Sequence, residues 1–139
     1  MPYMNLKDSL LLLATSVCIP IFSGCTTQVA IDPQTGLEQS ATYTAGYFFA
    51  NVDASISETF RAAAREMEGM GYFRTGERHG KDSIRIYARK VGDQKITVSI
   101  SNAVESETEG QTEIRIRVGK LGNLAESQVL YARIRDSLI

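Results

Sequence analysis

Three stretches of this chain alternate apolar and polar side chains with a strict period of two. In Ser83–Lys90, Ile84, Ile86 and Ala88 alternate with Arg85, Tyr87 and Arg89. In Lys95–Val104, Ile96, Val98 and Ile100 oppose Lys95, Thr97, Ser99 and Ser101. In Glu113–Val118, Ile114, Ile116 and Val118 oppose Glu113, Arg115 and Arg117. Side chains on a strand point alternately to its two faces, so each run predicts a strand with one buried and one wet face. The links are a turn at Val91-Gly92-Asp93 and an acidic loop, Glu105–Gly110, too short for parallel crossovers. The expected arrangement is an antiparallel meander with one face in water.

The flanking segments predict what covers the dry face. Ser55-Ile-Ser-Glu58 is a capping box that opens a helix running to about Met70, with Gly71 as a left-handed stop. Ile56, Phe60, Ala63, Ala64, Met67 and Met70 fall on one stripe of it. Asn123-Leu-Ala-Glu126 opens a second helix carrying Leu130, Tyr131, Ile134 and Leu138 at three- and four-residue spacing. Residues 41–53 read as one strand with an irregularity at Gly46, and Tyr72–Thr75 as a short strand turning at Gly76–Lys81. The expected fold class is α+β: a two-layer sandwich with a four- to five-stranded antiparallel sheet and two helices on one face, in the order β-α-β-β-β-β-α. A chain of 139 residues, 43% hydrophobic, has room for one such domain, placed at 41–139. Its net charge of −1 argues against a nucleic-acid partner.

The N-terminus carries a different kind of information. Lys7 precedes an apolar run from Leu10 to Phe22, which at ~1.5 Å per residue reaches only about 20 Å, short of a ~30 Å hydrocarbon core. A run of this size suits a signal peptide over residues 1–24. Phe22-Ser23-Gly24-Cys25 resembles the bacterial lipobox, in which small residues let the chain enter a peptidase cleft and the cysteine thiol accepts a diacylglycerol. The implied mature chain begins at a lipidated Cys25 and loses Cys18, leaving no free thiol and no disulfide. Three acyl chains would anchor it durably, compared with the marginal hold of one. Thr26, where retention would favour Asp, resembles the sorting rule for the outer membrane. The expected location is therefore the cell envelope, lipid-anchored, in the outer membrane facing the periplasm. Residues 26–40 read as a polar tether, reaching at most about 50 Å.

Residues 46–139 resemble a family of short bacterial lipoproteins known only as a domain of unknown function. The resemblance is carried by the lipobox cysteine and by Ile114-Arg115-Ile116-Arg117-Val118-Gly119-Lys120-Leu121-Gly122-Asn123, with Ser127 and Ile134 in the closing helix. The family's Gly/Ala-rich stretch after the cysteine is replaced here by residues 26–40. The resemblance implies the anchor and the fold, and brings no activity. The layout is also similar, at fold level, to the helix-grip domains of an accessory lipoprotein of the outer-membrane barrel assembly machinery.

The candidate sites are few. Arg85, Tyr87, Arg89, Lys95, Arg115 and Arg117, with Glu113 and the hydroxyls of Thr97, Ser99 and Ser101, should share the wet face. Cations interleaved with Tyr are the chemistry of a phosphate-bearing glycolipid or acidic-protein site. The same pattern also describes an ordinary solvated sheet face, whose cross-strand pairs contribute ~0.2–1 kcal/mol each, and this plainer reading is preferred. His79, the one histidine, reads as an exposed turn residue. Gly76 to Gly80-Lys81 fails as a phosphate loop, being one residue short with Asp82 where Mg²⁺ binding needs Ser or Thr. Gly119-Lys-Leu-Gly122-Asn123 reads as a tight strand-to-helix turn, with an anion-holding helix start as the alternative. Ser127 reads as a packing residue beside Tyr131, and Glu58 and Glu126 as helix caps. No nucleophile, base and orienting group come together, so no catalytic residue, metal ligand, nucleotide or cofactor is expected beyond the covalent lipid on Cys25. The expected role is a non-catalytic structural or assembly accessory of the envelope, partnered by the membrane through its lipid and by envelope proteins. The alternative is a binding module for anionic glycan or lipid head groups.

Overall fold

The computed structural model describes residues 27–30, 40–103 and 110–139. The proposed signal peptide, Phe22, Ser23, Gly24, Cys25 and the acidic residues of the 105–109 loop lie outside them. The elements are β1 (Thr27–Ala30), β2 (Ser40–Thr44), β3 (Tyr47–Val52), α1 (Ile56–Gly69), β4 (Phe73–His79), β5 (Ser83–Lys90), β6 (Gln94–Asn102), β7 (Thr112–Val118) and α2 (Leu124–Asp136).

The three period-two runs become β5, β6 and β7, paired antiparallel as the expected meander requires. Ile86 stands opposite Val98, and Val98 opposite Ile116. Their apolar face is buried from Ile86 onward, with Ile84 at the start of β5 half-buried. The α+β class holds, but the sheet has seven strands, in the order β1-β2-β3-β7-β6-β5-β4, where four to five were expected.

Two local corrections account for the difference, and a third lengthens β4. The 41–53 stretch is a hairpin, because Ala45 and Gly46 both take positive φ (52° and 81°), the conformation of a two-residue turn that matches strand twist. Thr27–Ala30, expected in the tether, pairs along β2 as an edge strand, with Thr27 opposite Tyr43 and Ala30 opposite Ser40. The expected turn at Gly76–Lys81 is mostly strand. The register shift between Arg74 and Gly76 absorbs Thr75 as a bulge, and β4 continues to His79.

Both helices cover one face. α1 packs on β4, β5 and β6, and α2 on β3 and β7. The capping box is present: the Ser55 hydroxyl accepts from the Glu58 amide, and the Glu58 carboxylate accepts from the Ser55 amide. The buried stripe of α1 is Thr59, Ala62, Ala63, Ala64 and Met67. Ile56, Phe60 and Met70, expected in that stripe, sit half-buried at its borders. Small residues at the centre let the helix axis approach the sheet, while the larger ones close the rim. α2 buries Leu130, Tyr131 and Ile134 as expected, with Ser127 bonded to the Asn123 carbonyl. The Tyr131 ring packs on Phe48 at 5.4 Å, and its hydroxyl donates to the Asn51 carbonyl at 2.7 Å. Each fully buried Ile, Leu or Phe contributes about 1.5–3 kcal/mol, and together they supply most of the driving force.

Candidate functional site

In an antiparallel sheet, directly opposed residues share a face. The registers therefore place Arg85, Tyr87, Arg89, Lys95, Arg115 and Arg117 together on the face away from the helices, as the alternation predicted. One row runs from Phe49 through Arg115, Ser99 and Arg85 to Arg78. A neighbouring row joins Arg117, Thr97 and Tyr87. A third ends with Lys95, Arg89 and Phe73.

The face is more organised than a scatter of solvated cations. The Arg115 guanidinium lies 4.7 Å from the centroid of the Phe49 ring, and the Arg117 guanidinium 4.8 Å from that of Tyr47. The two rings are 6.2 Å apart. Stacking orients each guanidinium without consuming its charge. Arg117 also donates to the Lys120 carbonyl, and the Arg85 Nε donates to the Ser99 hydroxyl at 3.0 Å. Carboxylate neighbours are sparse among the described residues. Glu113 stands 3.7 Å from Arg115, and Asp93 takes Arg89 at 2.8 Å. Exposed pairs of this kind contribute ~0–1 kcal/mol and do not close the face to other anions.

Tyr47, Phe49, Arg78 and Phe73 were missed from sequence. Assigning them needed the hairpin at Ala45-Gly46 and the bulge at Thr75, since each device resets which residues face outward. The Ala-Gly pair between two aromatic-rich runs was the available signal for the first.

The other candidates resolve structurally. His79 lies on β4, not in a turn; it is within 3.1 Å of Glu77, with its ring 5.6 Å from that of Phe60. The Gly119–Asn123 segment is a packed turn. The Gly119 amide donates to the Lys95 carbonyl at 2.7 Å, and Gly122, at φ 87°, lies directly against the backbone of Gly46. This crossing of two turns explains why a glycine stands at 122 in the Arg117-Val118-Gly119-Lys120-Leu121-Gly122 segment. Asn123 caps α2 through the Glu126 amide. The Glu126 carboxylate is not a cap, as the sequence suggested. It accepts from the buried Tyr72 hydroxyl and from Gln94 Nε2 at 2.8 Å, with Lys90 Nζ at 3.7 Å. Burial alone would raise its pKa, but these donors hold it below the ordinary value. The cluster ties the start of α2 to the β5–β6 turn and the α1–β4 junction. A cleft of about 650 Å³ at the opposite end, bordered by Asp53, Ser55, Gln111 and Thr112, brings in none of the predicted site residues.

A family model described as a protein of unknown function (DUF3568) matches residues 8–137. The chain belongs to that family. No curated protein matches it. Among solved structures, it is similar to the crystal structure of CalU16 from Micromonospora echinospora, at 14% identity and a TM-score of 0.40, over 82% of this chain and 81% of the other. So loose a likeness carries no argument about function. No helix among the described residues is long and apolar enough to cross a membrane.

Proposed function

We propose that this protein is a lipoprotein of the cell envelope, acylated on Cys25 and held in the outer membrane facing the periplasm, whose domain acts by contact and not by catalysis, as a structural or assembly accessory. The anchor is supported by the lipobox-like Phe22-Ser23-Gly24-Cys25, which falls inside the family match. The contact role rests on one observation: the helices occupy a single face of the sheet, and the other face presents ordered side chains outward. Growth with labelled palmitate tests the anchor, since the wild type should incorporate label and Cys25→Ser should not. Equal labelling of both chains would refute it.

A second reading is favoured by the stacked guanidiniums. Arg115 on Phe49 and Arg117 on Tyr47, with Arg85, Arg89, Lys95 and Tyr87 beside them, suit phosphates or carboxylates of anionic glycans or lipid head groups. The double variant Arg85→Glu/Arg115→Glu should fold normally, because both side chains are exposed, and should lose retention on a phosphate-bearing matrix. Unchanged retention would remove this reading and leave protein contact as the role of the face.

A further inference from the structure

The strand directions bring one set of features to a single end of the sheet. β2 runs toward the Ala45-Gly46 turn, β5 toward Val91–Asp93, and β7 toward Gly119–Gly122, while β4 starts there at Phe73. β1 is antiparallel to β2, with Thr27 opposite Tyr43, so β1 also begins at this end. Cys25 precedes Thr27 by two residues, and two extended residues span no more than about 7 Å. Whatever holds Cys25 therefore holds this end of the domain close to it, far nearer than a free tether over 26–40 would allow.

Among the described residues, the same end carries three of the five large apolar side chains left in water. Leu121 is 89% exposed, Val91 88% and Phe73 66%, the first two at the tips of turns. Lysines flank them: Lys120 beside Leu121, Lys90 beside Val91, and Lys95 one residue into β6. Lys90 is engaged by Glu126, while Lys95 and Lys120 have no carboxylate partner among the described residues. Apolar turn tips flanked by Lys95 and Lys120, with the nearby Asp93 carboxylate taken up by Arg89, match the layered chemistry of a bilayer surface, acyl chain boundary inside and anionic head groups around it.

We infer that this end, bearing Leu121, Val91 and Phe73 with Lys95 and Lys120, docks flat on an anionic lipid bilayer. The inference rests on the proposed anchoring at Cys25. Docking sets the strands along the membrane normal, and the rest of the basic sheet face, with Arg85, Tyr87, Arg115 and Arg117, then looks sideways into the aqueous compartment, free to meet another molecule.

The chain contains no tryptophan, so single insertions give clean depth probes. The expressed full chain is reconstituted with vesicles of phosphatidylethanolamine and brominated phosphatidylglycerol, as Leu121→Trp, Val91→Trp and, at the opposite end of the sheet, Asp82→Trp. These positions are exposed turns, so folding is preserved, and circular dichroism verifies it for each variant. Quenching and a blue shift at 121 and 91 with neither at 82 support docking. Equal quenching at all three, or none at 121 and 91, overturns it. Intact mass of the same samples separates this from the anchoring claim. An acylated chain without quenching at 121 and 91 refutes docking alone. A chain lacking acyl groups that still shows the selective quenching upholds docking and refutes lipidation.

Discussion

Replacing Gly122 by Ala tests how tightly the two turns at the end of the sheet are locked together. Gly122 has φ 87°, which an L-residue with a Cβ adopts at a cost of about 1–2 kcal/mol. A second cost comes from space. The added Cβ would lie 2.6 Å from the Tyr43 hydroxyl and closer still to the carbonyl oxygen and Cα of Gly46. Those last two are backbone atoms of a two-residue turn, so no rotamer change relieves the overlap, and overpacking of this kind adds about 1–3 kcal/mol. The total of roughly 2–5 kcal/mol is a large part of the ~5–15 kcal/mol that holds an ordinary domain. Gly92→Ala is the matched control, because Gly92 has φ 94° but an added Cβ there would meet nothing within 4 Å, leaving only the conformational cost. In urea unfolding followed by circular dichroism, the extra ~1–3 kcal/mol over a slope of about 1–3 kcal/mol per M should put the Gly122→Ala midpoint roughly 0.3–3 M below that of Gly92→Ala, at unchanged slope. Equal midpoints would show that the turns do not cross as described.

Two further outcomes follow from the buried tyrosines. Glu126 is held below its ordinary value of 4.5, so its contribution to stability is complete above that pH and is lost as pH falls through the lowered folded value. Tyr72 is raised above its ordinary value of 10.0, by burial first and then by Glu126, so its contribution is complete below that pH and is lost on the alkaline side. Urea midpoints should therefore form a plateau between these limits and fall on both sides, and Glu126→Gln should flatten the acid limb; an unchanged acid limb would show that the carboxylate contributes nothing there. Burial also pushes the Tyr131 hydroxyl up to about 12, and Tyr131→Phe, which leaves the Asn51 carbonyl without its partner, should cost about 1–2 kcal/mol in the same assay, a neutral result showing that water replaces the bond.

The parts of the fold legible in sequence were those whose burial is one-sided. β5, β6 and β7 each have one face under the helices and one in water, so their period of two is visible residue by residue. β3 hides the same period because its outward positions are Tyr47 and Phe49, which blend with buried Phe48 into an unbroken aromatic run. β4 is exposed along its whole length, as a charged and bulged edge strand that discourages further pairing, so it shows no periodic signal. β1 is four residues held through its backbone pairing with β2, which composition does not encode. The candidate face followed the same division. Its six predicted residues came from β5, β6 and β7 and were found together. The rings that orient two of its arginines lie on β3, where a two-residue turn had to be recognised first.

Anchoring at Cys25 is tested most directly by the intact mass of the protein extracted from membranes, beside Cys25→Ser. The expected result is a chain beginning at Cys25 with three acyl groups, absent from the variant. A soluble unmodified chain, or one that keeps residues 1–24, would contradict it.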